Sequence, residues 1–422
     1  MSQTAEAGTA SGALAASRIP AHVAADRVVD FDYVNDAELK RDPQAAYLRF
    51  RNGPDLVYTP YYGGHWIATR RELIAEIFHK PELFSTFPYV IPASVSSPEP
   101  RPFTEINAPE SLKFRRLLAP IMAPKAVQRF EEQTRELMRE IMDEVAPLGA
   151  CDFAVDVAQK LPIFIIMRWL NLPFEDRFML MRNVDDVLSH PDPERRRAAR
   201  EFTVGYVDAI VAERRVRPGD DLISALVSGE VDGRPVSHVE GTAMARNLIH
   251  GGLDTVRNMM SFIAWFLARH DAHRRQLVDE PALIPAAIEE LLRFYALPNM
   301  SRSVLADTVF HGVELKRGEQ ILLPLILAGL DDRVHADAMT VDFRRAEQRH
   351  ISFGHGAHVC PGQHLARIEL RVFVEEWLKR IPHFSLQPGV PIVTAGGIIL
   401  AVRTLPLQWA AADTSTQQSG AA

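Results

Sequence analysis

The sequence is short of cysteine. Its 422 residues hold two, Cys151 and Cys360, too far apart and too few for a disulfide framework, which suits a reducing cytoplasm. Long apolar runs are missing as well. No stretch of about eighteen apolar residues occurs, so no membrane span is expected. The N-terminal residues lack the basic start and apolar centre of a secretory signal. Positive charge is not in excess either: the formal net charge is −7, which leaves nucleic acid unsupported as a partner. Internal repeats and a long low-complexity linker are absent. Length alone allows two or three domains. Residues 1–27 and 411–422 are rich in small and polar types and read as disordered tails, which leaves 28–410 as the folded part.

What is there is concentrated in one stretch. Phe353-Gly354-His355-Gly356-Ala357-His358-Val359-Cys360-Pro361-Gly362 packs three glycines, two histidines and a cysteine into ten residues. Leu365, Ala366, Ile368, Leu370 and Val372 follow at helical spacing. Cys360 therefore sits on a glycine-bent loop that feeds a helix N-terminus, where amides and dipole favour a thiolate. Glycine also lets a flat group approach closely. Three other readings stand beside a thiolate metal ligand. Cys360 could be a buried structural cysteine. It could join His355 and His358 in a zinc site, although no second Cys or Cys/His pair is visible. It could be a nucleophile, which needs a separate orienting His and an acid.

Along the chain, 55–59 and 65–69 read as two short strands about a Gly-Gly turn, and 71–79 as a helix. Residues 87–104, with five prolines and three serines, read as a loop. Periodic apolar residues predict helices over 124–145, 161–170 and 203–214, and 231–234 is a turn. Ser237 and Glu240 form a capping box that opens a long helix, to about Arg269. Gly251-Gly252 in its middle predicts a kink or a widened turn; the alternative is close packing against a neighbour. A helix over 285–294 sets Glu290 and Arg293 on one face. Residues 308–327 read as strands paired around Gly318, and 398–409 as a final strand.

The order F-x-x-G-x-H-x-C-x-G resembles the haem-thiolate loop of the cytochrome P450 family. Glu290-Leu-Leu-Arg293 and Gly251-Gly-Leu-Asp-Thr255 occur in that family's order and spacing. Gly63-Gly-His-Trp-Ile-Ala-Thr-Arg70, Cys360-Pro-Gly-Gln-His-Leu-Ala-Arg367 and Leu405-Pro-Leu407 are similar to the bacterial class I camphor hydroxylase subfamily, over about Asp30 to Trp409. The resemblance implies a mainly α fold with small β-sheets, one haem-binding domain, and haem b as cofactor. Cys360 is then the iron ligand. Arg115, Arg302 and His358 match propionate-binding positions, and Glu290 with Arg293 a structural network behind the haem. Asp254 and Thr255 are the expected catalytic pair: an acid that relays protons beside a hydroxyl that holds water. Thiolate donation to iron favours O–O cleavage.

The implied activity is a cytoplasmic monooxygenase that uses O2 to hydroxylate a C–H bond. A peroxide-driven peroxygenase and a non-catalytic haem sensor are the other readings. No flavin or iron–sulfur motif is present, so the resemblance implies a [2Fe–2S] ferredoxin with a flavin-dependent reductase. Lys113, Arg115 and Arg116 form a basic patch that could steer an acidic partner. The expected substrate pocket comprises Val90, Glu99, Thr104, Asn247, His250, Gly251, Pro298, Ile398 and Ile399. Glu99 falls where the camphor enzymes place a hydrogen-bonding tyrosine, which weakens camphor itself as the substrate. His250 is either a satisfied core histidine, or it or Asn247 bonds a substrate oxygen. A compact, mostly apolar pocket suits a small cyclic terpenoid or norisoprenoid.

Overall fold

The computed structural model describes residues 19–93, 96, 100–189 and 192–410. Helices dominate. In chain order we label the longer ones α1 (Arg71–Phe78), α2 (Glu110–Leu118), α3 (Phe130–Val145), α4 (Lys160–Trp169), α5 (Arg177–Ser189), α6 (Pro193–Val216), α7 (His238–Arg269), α8 (Asp271–Asp279), α9 (Ile284–Phe294) and α10 (Gln363–Arg380). The axis of the molecule is α7. Its start is fixed by the expected capping box: Ser237 accepts from the Glu240 amide at 3.2 Å, and the Glu240 carboxylate accepts from the Ser237 amide at 2.8 Å. Most of its 32 residues are buried. It packs on α4, α6 and α10, a helix buried nearly all round and accordingly central.

A five-stranded sheet stands beside the helices. Its strands are β1 (Leu56–Thr59), β2 (His65–Ala68), β3 (Phe84–Ser85), β4 (Asn299–Val304) and β5 (Gln320–Pro324), in the order β1-β2-β5-β4-β3. Only β2 with β5 is parallel. β5 is buried along its whole length, as a central strand should be. No helix among the described residues is long and apolar enough to cross a membrane.

Several expectations need correcting. The helix over 124–145 is two pieces, Pro124–Val127 and α3. Gln128 and Arg129 between them stay in the right-handed helical region, so one apolar face runs across both. α6 begins ten residues before 203, because Asp192 caps it through the Glu194 amide at 2.9 Å; its arginine-rich first turns carry no apolar period. Residues 308–327 do not form one pair around Gly318. His311 and Gly312, both at positive φ, turn 308–310 back onto 313–315 in the geometry hairpins favour. The next strand, β5, pairs with β4 and β2 instead. Part of the expected N-terminal tail belongs to the fold: Val23 is buried, and His22 Nε2 lies 2.9 Å from Glu319 Oε1. The rest of that tail, 1–18, and the tail 411–422 lie outside the described residues.

Candidate active site

Cys360 is held by backbone. Its amide donates to the Phe353 carbonyl at 2.8 Å, and the Gly354 amide donates to Ile351 at 2.8 Å. Gly354 (φ +80°) and Gly356 (φ +66°) make the bends that side-chain-bearing residues resist. Burial pushes the Cys360 thiol up, while the Gly362 and Gln363 amides and Arg115 act to lower it. A thiolate here therefore calls for an electrophile against the sulfur. His355 stacks edge-on against His79, with ring centroids 4.6 Å apart. Among the described residues no three His, Cys, Asp or Glu side chains converge on a metal-sized site, so the zinc reading falls.

Behind the loop, Glu290 and Arg293 are both fully buried. Arg293 Nε and Nη2 donate to the two Glu290 oxygens at 2.9 and 2.8 Å, and Nη1 donates to the carbonyls of Gly329 and Ala338. Arg345 Nε adds a bond to Glu290 at 3.0 Å. Every charge in this knot is paired, as burial demands. Ser352 Oγ donates to Leu292 O at 2.6 Å and ties the loop to α9.

In front of Cys360 lies a mostly apolar cavity, enclosing about 1510 Å³ of atom-free space with its open mouth included. Thr104, Arg115, Asn247, Gly251, Thr255, Pro298, His358, Cys360 and Ile399 all line it. Glu99 lies outside the described residues. Val90 and Ile398 are off the wall. Their carbonyls accept from Gln320 Nε2 at 2.9 Å and from the Asn299 amide at 2.8 Å; Tyr89 lines the cavity in place of Val90, and of the expected pair Ile398 and Ile399 only the second does. His250 is also off the wall; its Nε2 is buried without a partner, and burial lowers its pKa to about 3. A larger open groove, about 2600 Å³, lies between α3, α4 and α5 and contains none of the expected site residues.

Asp254 and Thr255 do not face the same space. Thr255 lines the cavity, and its hydroxyl donates to the Gly251 carbonyl at 3.0 Å. Asp254 is buried on another side of α7, beside Gln159, Ile163 and Met181. Its Oδ1 accepts from Arg257 Nη2 at 2.6 Å and from Asn258 Nδ2 at 3.0 Å. The expected widened turn is absent too, since α7 keeps α-helical hydrogen bonding through both glycines. The two glycines serve different ends. A Cβ on Gly252 would come within 2.3 Å of Ile166 Cδ1, whereas one on Gly251 would meet nothing within 4 Å.

The donors around the sulfur test the expected porphyrin. Arg302 is buried, donates to Ser301 O at 2.7 Å, and leaves Nη2 without a partner. Burial lowers its pKa to about 10. Arg115 donates to the Phe103 and Val359 carbonyls, and His358 Nδ1 lies 3.3 Å from Phe103 O. Burial and the Arg302 charge hold the His358 pKa near 4. Arg115 and His358 line the cavity with Cys360, and Arg302, off the lining but close enough for its charge to act on His358, keeps an unsatisfied Nη2; this set fits a flat group bearing carboxylates and a thiophilic metal. Reading by motif missed Glu369. It lines the cavity from α10, its Oε2 has no partner, and burial pushes its pKa up to about 8. The signal was there: Leu365, Glu369 and Val372 share one helical face. The basic patch is narrower than expected. Arg115 turns inward, and Lys113 is paired with Asp232 at 2.6 Å.

The cytochrome P450 family model matches residues 165–395. A steroid C26-monooxygenase of Mycolicibacterium smegmatis is 33% identical, over 77% of this chain and 82% of its own length. The crystal structure of CYP101J2 superposes with a TM-score of 0.86 at 32% identity, covering 93% of this chain and 99% of that one. That of CYP101C1 gives 0.84 at 36% identity, over 93% and 100%.

Proposed function

The chain belongs to the cytochrome P450 family, with haem b held through a cysteine thiolate, and from that premise we propose a ferredoxin-fed monooxygenase acting on a small apolar cyclic terpenoid or norisoprenoid. That it is a P450 monooxygenase, an oxidoreductase, follows from the family. Ferredoxin, its flavin-dependent reductase and the substrate class are the proposal. One observation carries it: Cys360 and Thr255, from separate elements, line one mostly apolar cavity. When bound, the haem supplies O2 activation and the transfer of one oxygen atom to a C–H bond.

The chain's own residues do the rest. Cys360 would hold the iron through its sulfur. Arg302, Arg115 and His358 offer donors to the two propionates. The apolar wall excludes bulk water and leaves little but shape to hold a hydrocarbon skeleton. The Thr255 hydroxyl is a polar group at the cavity that can hold a water and pass on its proton. Asp254 is the acid behind it. It must turn away from Arg257 to reach the cavity, so the Asp254–Arg257 bond acts as a brake on proton delivery. Such gating keeps protons scarce in a pocket where flooding wastes electrons.

The test has two steps. A ferrous sample under carbon monoxide gives the strongly red-shifted band of thiolate ligation; an imidazole-type spectrum would overturn the assignment of Cys360. Next, cyclic terpenoids are screened by the ferric spin-state shift and turned over with a [2Fe–2S] ferredoxin and its reductase. Thr255→Ala is expected to consume reductant at a rate near the parent's yet form at least several-fold less product per electron pair. Equal coupling in the two would remove Thr255 from proton delivery. Turnover with peroxide alone, and none with any ferredoxin, would favour a peroxygenase.

A further inference from the structure

Asn247, Gly251 and Thr255 recur at four-residue spacing along α7, and all three line the cavity. Residues so spaced form one stripe on a helix. The middle member has no side chain, so the stripe is a polar group at each end with open space between, about 12 Å along the axis. A small ring skeleton can lie in that gap with one end toward Thr255 and the other toward Asn247.

The amide of Asn247 is oriented. Thr104 Oγ1 donates to Asn247 Oδ1 at 2.9 Å, which commits the oxygen to the 104 side and leaves Nδ2 turned the other way. Among the described residues Nδ2 has no hydrogen-bond partner, and the cavity that Asn247 lines is mostly apolar, with Phe103, Leu248, Pro298 and Ile399 also on its wall. An amide donor facing an apolar cavity gains most from an acceptor carried in by a ligand. His250 is not a rival, because it stands off the cavity wall. We propose that Asn247 Nδ2 is the substrate's polar anchor, so that this protein selects cyclic terpenoids or norisoprenoids that already carry a carbonyl oxygen over the bare hydrocarbons. The inference rests on the monooxygenase reading of the site and adds the functional group that the substrate bears. The reaction that supplies the substrate is then an oxidation or a cleavage that leaves a ketone on the ring.

The experiment titrates the ferric holoprotein with ketone and alkane pairs of one skeleton: camphor with camphane, fenchone with fenchane, menthone with p-menthane. The parent protein is expected to bind the ketone of at least one pair about tenfold more tightly than its alkane, the worth of one hydrogen bond. In Asn247→Leu that ratio falls to near one, with alkane affinity kept or improved. In Thr104→Val, which spares Asn247 but frees its amide to rotate, the ratio falls part of the way. Asn247→Asp exchanges donor for acceptor and shifts preference from the ketone to the alcohol. The proposal is overturned if no ketone outbinds its alkane in the parent, or if the ratio survives in Asn247→Leu or, should that variant not fold, in Thr104→Val. The ferrous–carbon monoxide band, recorded on the same samples, separates this failure from failure of the monooxygenase reading.

Discussion

The two walls of the cavity are built in opposite ways. The sulfur side is backbone and closed charge. The Cys360 amide is bonded to Phe353, the glycines bend the loop, and the Glu290–Arg293–Arg345 knot behind it leaves no charge without a partner. The far side is side chains gathered from scattered segments: Tyr89 and Thr104 from one loop, Asn247 and Thr255 from α7, Pro298 and Ile399 from two more. Its polar groups are only half satisfied, as the amide of Asn247 is. The first wall spends its residues on holding one geometry. The second leaves hydrogen-bonding capacity for whatever enters, the division expected when stability and selectivity are assigned to different parts of a site.

The sharpest way to break that comparison is to damage each wall in turn. Arg293→Ala leaves the Glu290 carboxylate, in a site of no exposure, with Arg345 as its remaining cationic partner, opens the Gly329 and Ala338 carbonyls, and should cost about 3–5 kcal/mol. Urea unfolding and haem retained after gel filtration both report it. Arg293→Lys should recover little, since the two-pronged contact with Glu290 needs the planar fork. Thr104→Val on the far wall should cost about 1 kcal/mol or less. Equal costs for Arg293→Ala and Thr104→Val would erase the distinction.

A second effect is tied to pH and belongs to Glu369 on the cavity lining. Glu369 is buried without a partner for Oε2, and its pKa is pushed up to about 8, against about 4.3 in an unfolded chain. Folding therefore takes up a proton between these values. The stability carried by the protonated carboxyl is whole below about pH 4.3 and is lost as pH rises toward 8. Unfolding midpoints should fall across pH 5–8 by a contribution of the order of 1 kcal/mol per pH unit, and Glu369→Gln should flatten that part of the profile. An unchanged slope in the variant would mean that Glu369 is already ionised and paired.

The contrast also explains what could be read from the sequence. The Cys360 loop was legible because its determinants are contiguous, and so was the start of α7, whose cap is four consecutive residues. Glu290 and Arg293 were legible as a pair because they lie one helical turn apart. The far wall was read one residue out of step at one place and one residue too wide at another. Val90 was expected where Tyr89 stands, and Ile398 was expected beside Ile399, which lines the cavity without it. In extended chain, neighbours face opposite ways, so an error of one position exchanges wall for exterior. Asp254 stands off the cavity for another reason. Arg257 and Asn258, three and four positions on, draw its carboxylate round the helix, and helical proximity to Thr255 says nothing of which partner wins.

The smallest effects test the same division within two adjacent residues. Gly252 belongs to the packed side: its missing Cβ is what lets Ile166 of α4 lie against α7. In Gly252→Ala the new methyl meets Ile166 Cδ1 at 2.3 Å and Cγ1 at 2.6 Å, so the side chain must leave its rotamer or α4 must back away. Overpacking of this kind costs about 1–3 kcal/mol, offset by about 1 kcal/mol of helix propensity. Adding Ile166→Ala removes both clashing atoms, so the double variant should lose less than the sum of the singles, the sign of a direct contact. Gly251 belongs to the open side. Gly251→Ala meets nothing and gains up to about 1 kcal/mol of propensity, so its urea midpoint should hold or rise, while the methyl narrows the space between Asn247 and Thr255 and weakens binding of bulky ketones. If Gly251→Ala lowered the midpoint as Gly252→Ala does, α7 would be packed on both faces, and the gap assigned to the substrate would not exist.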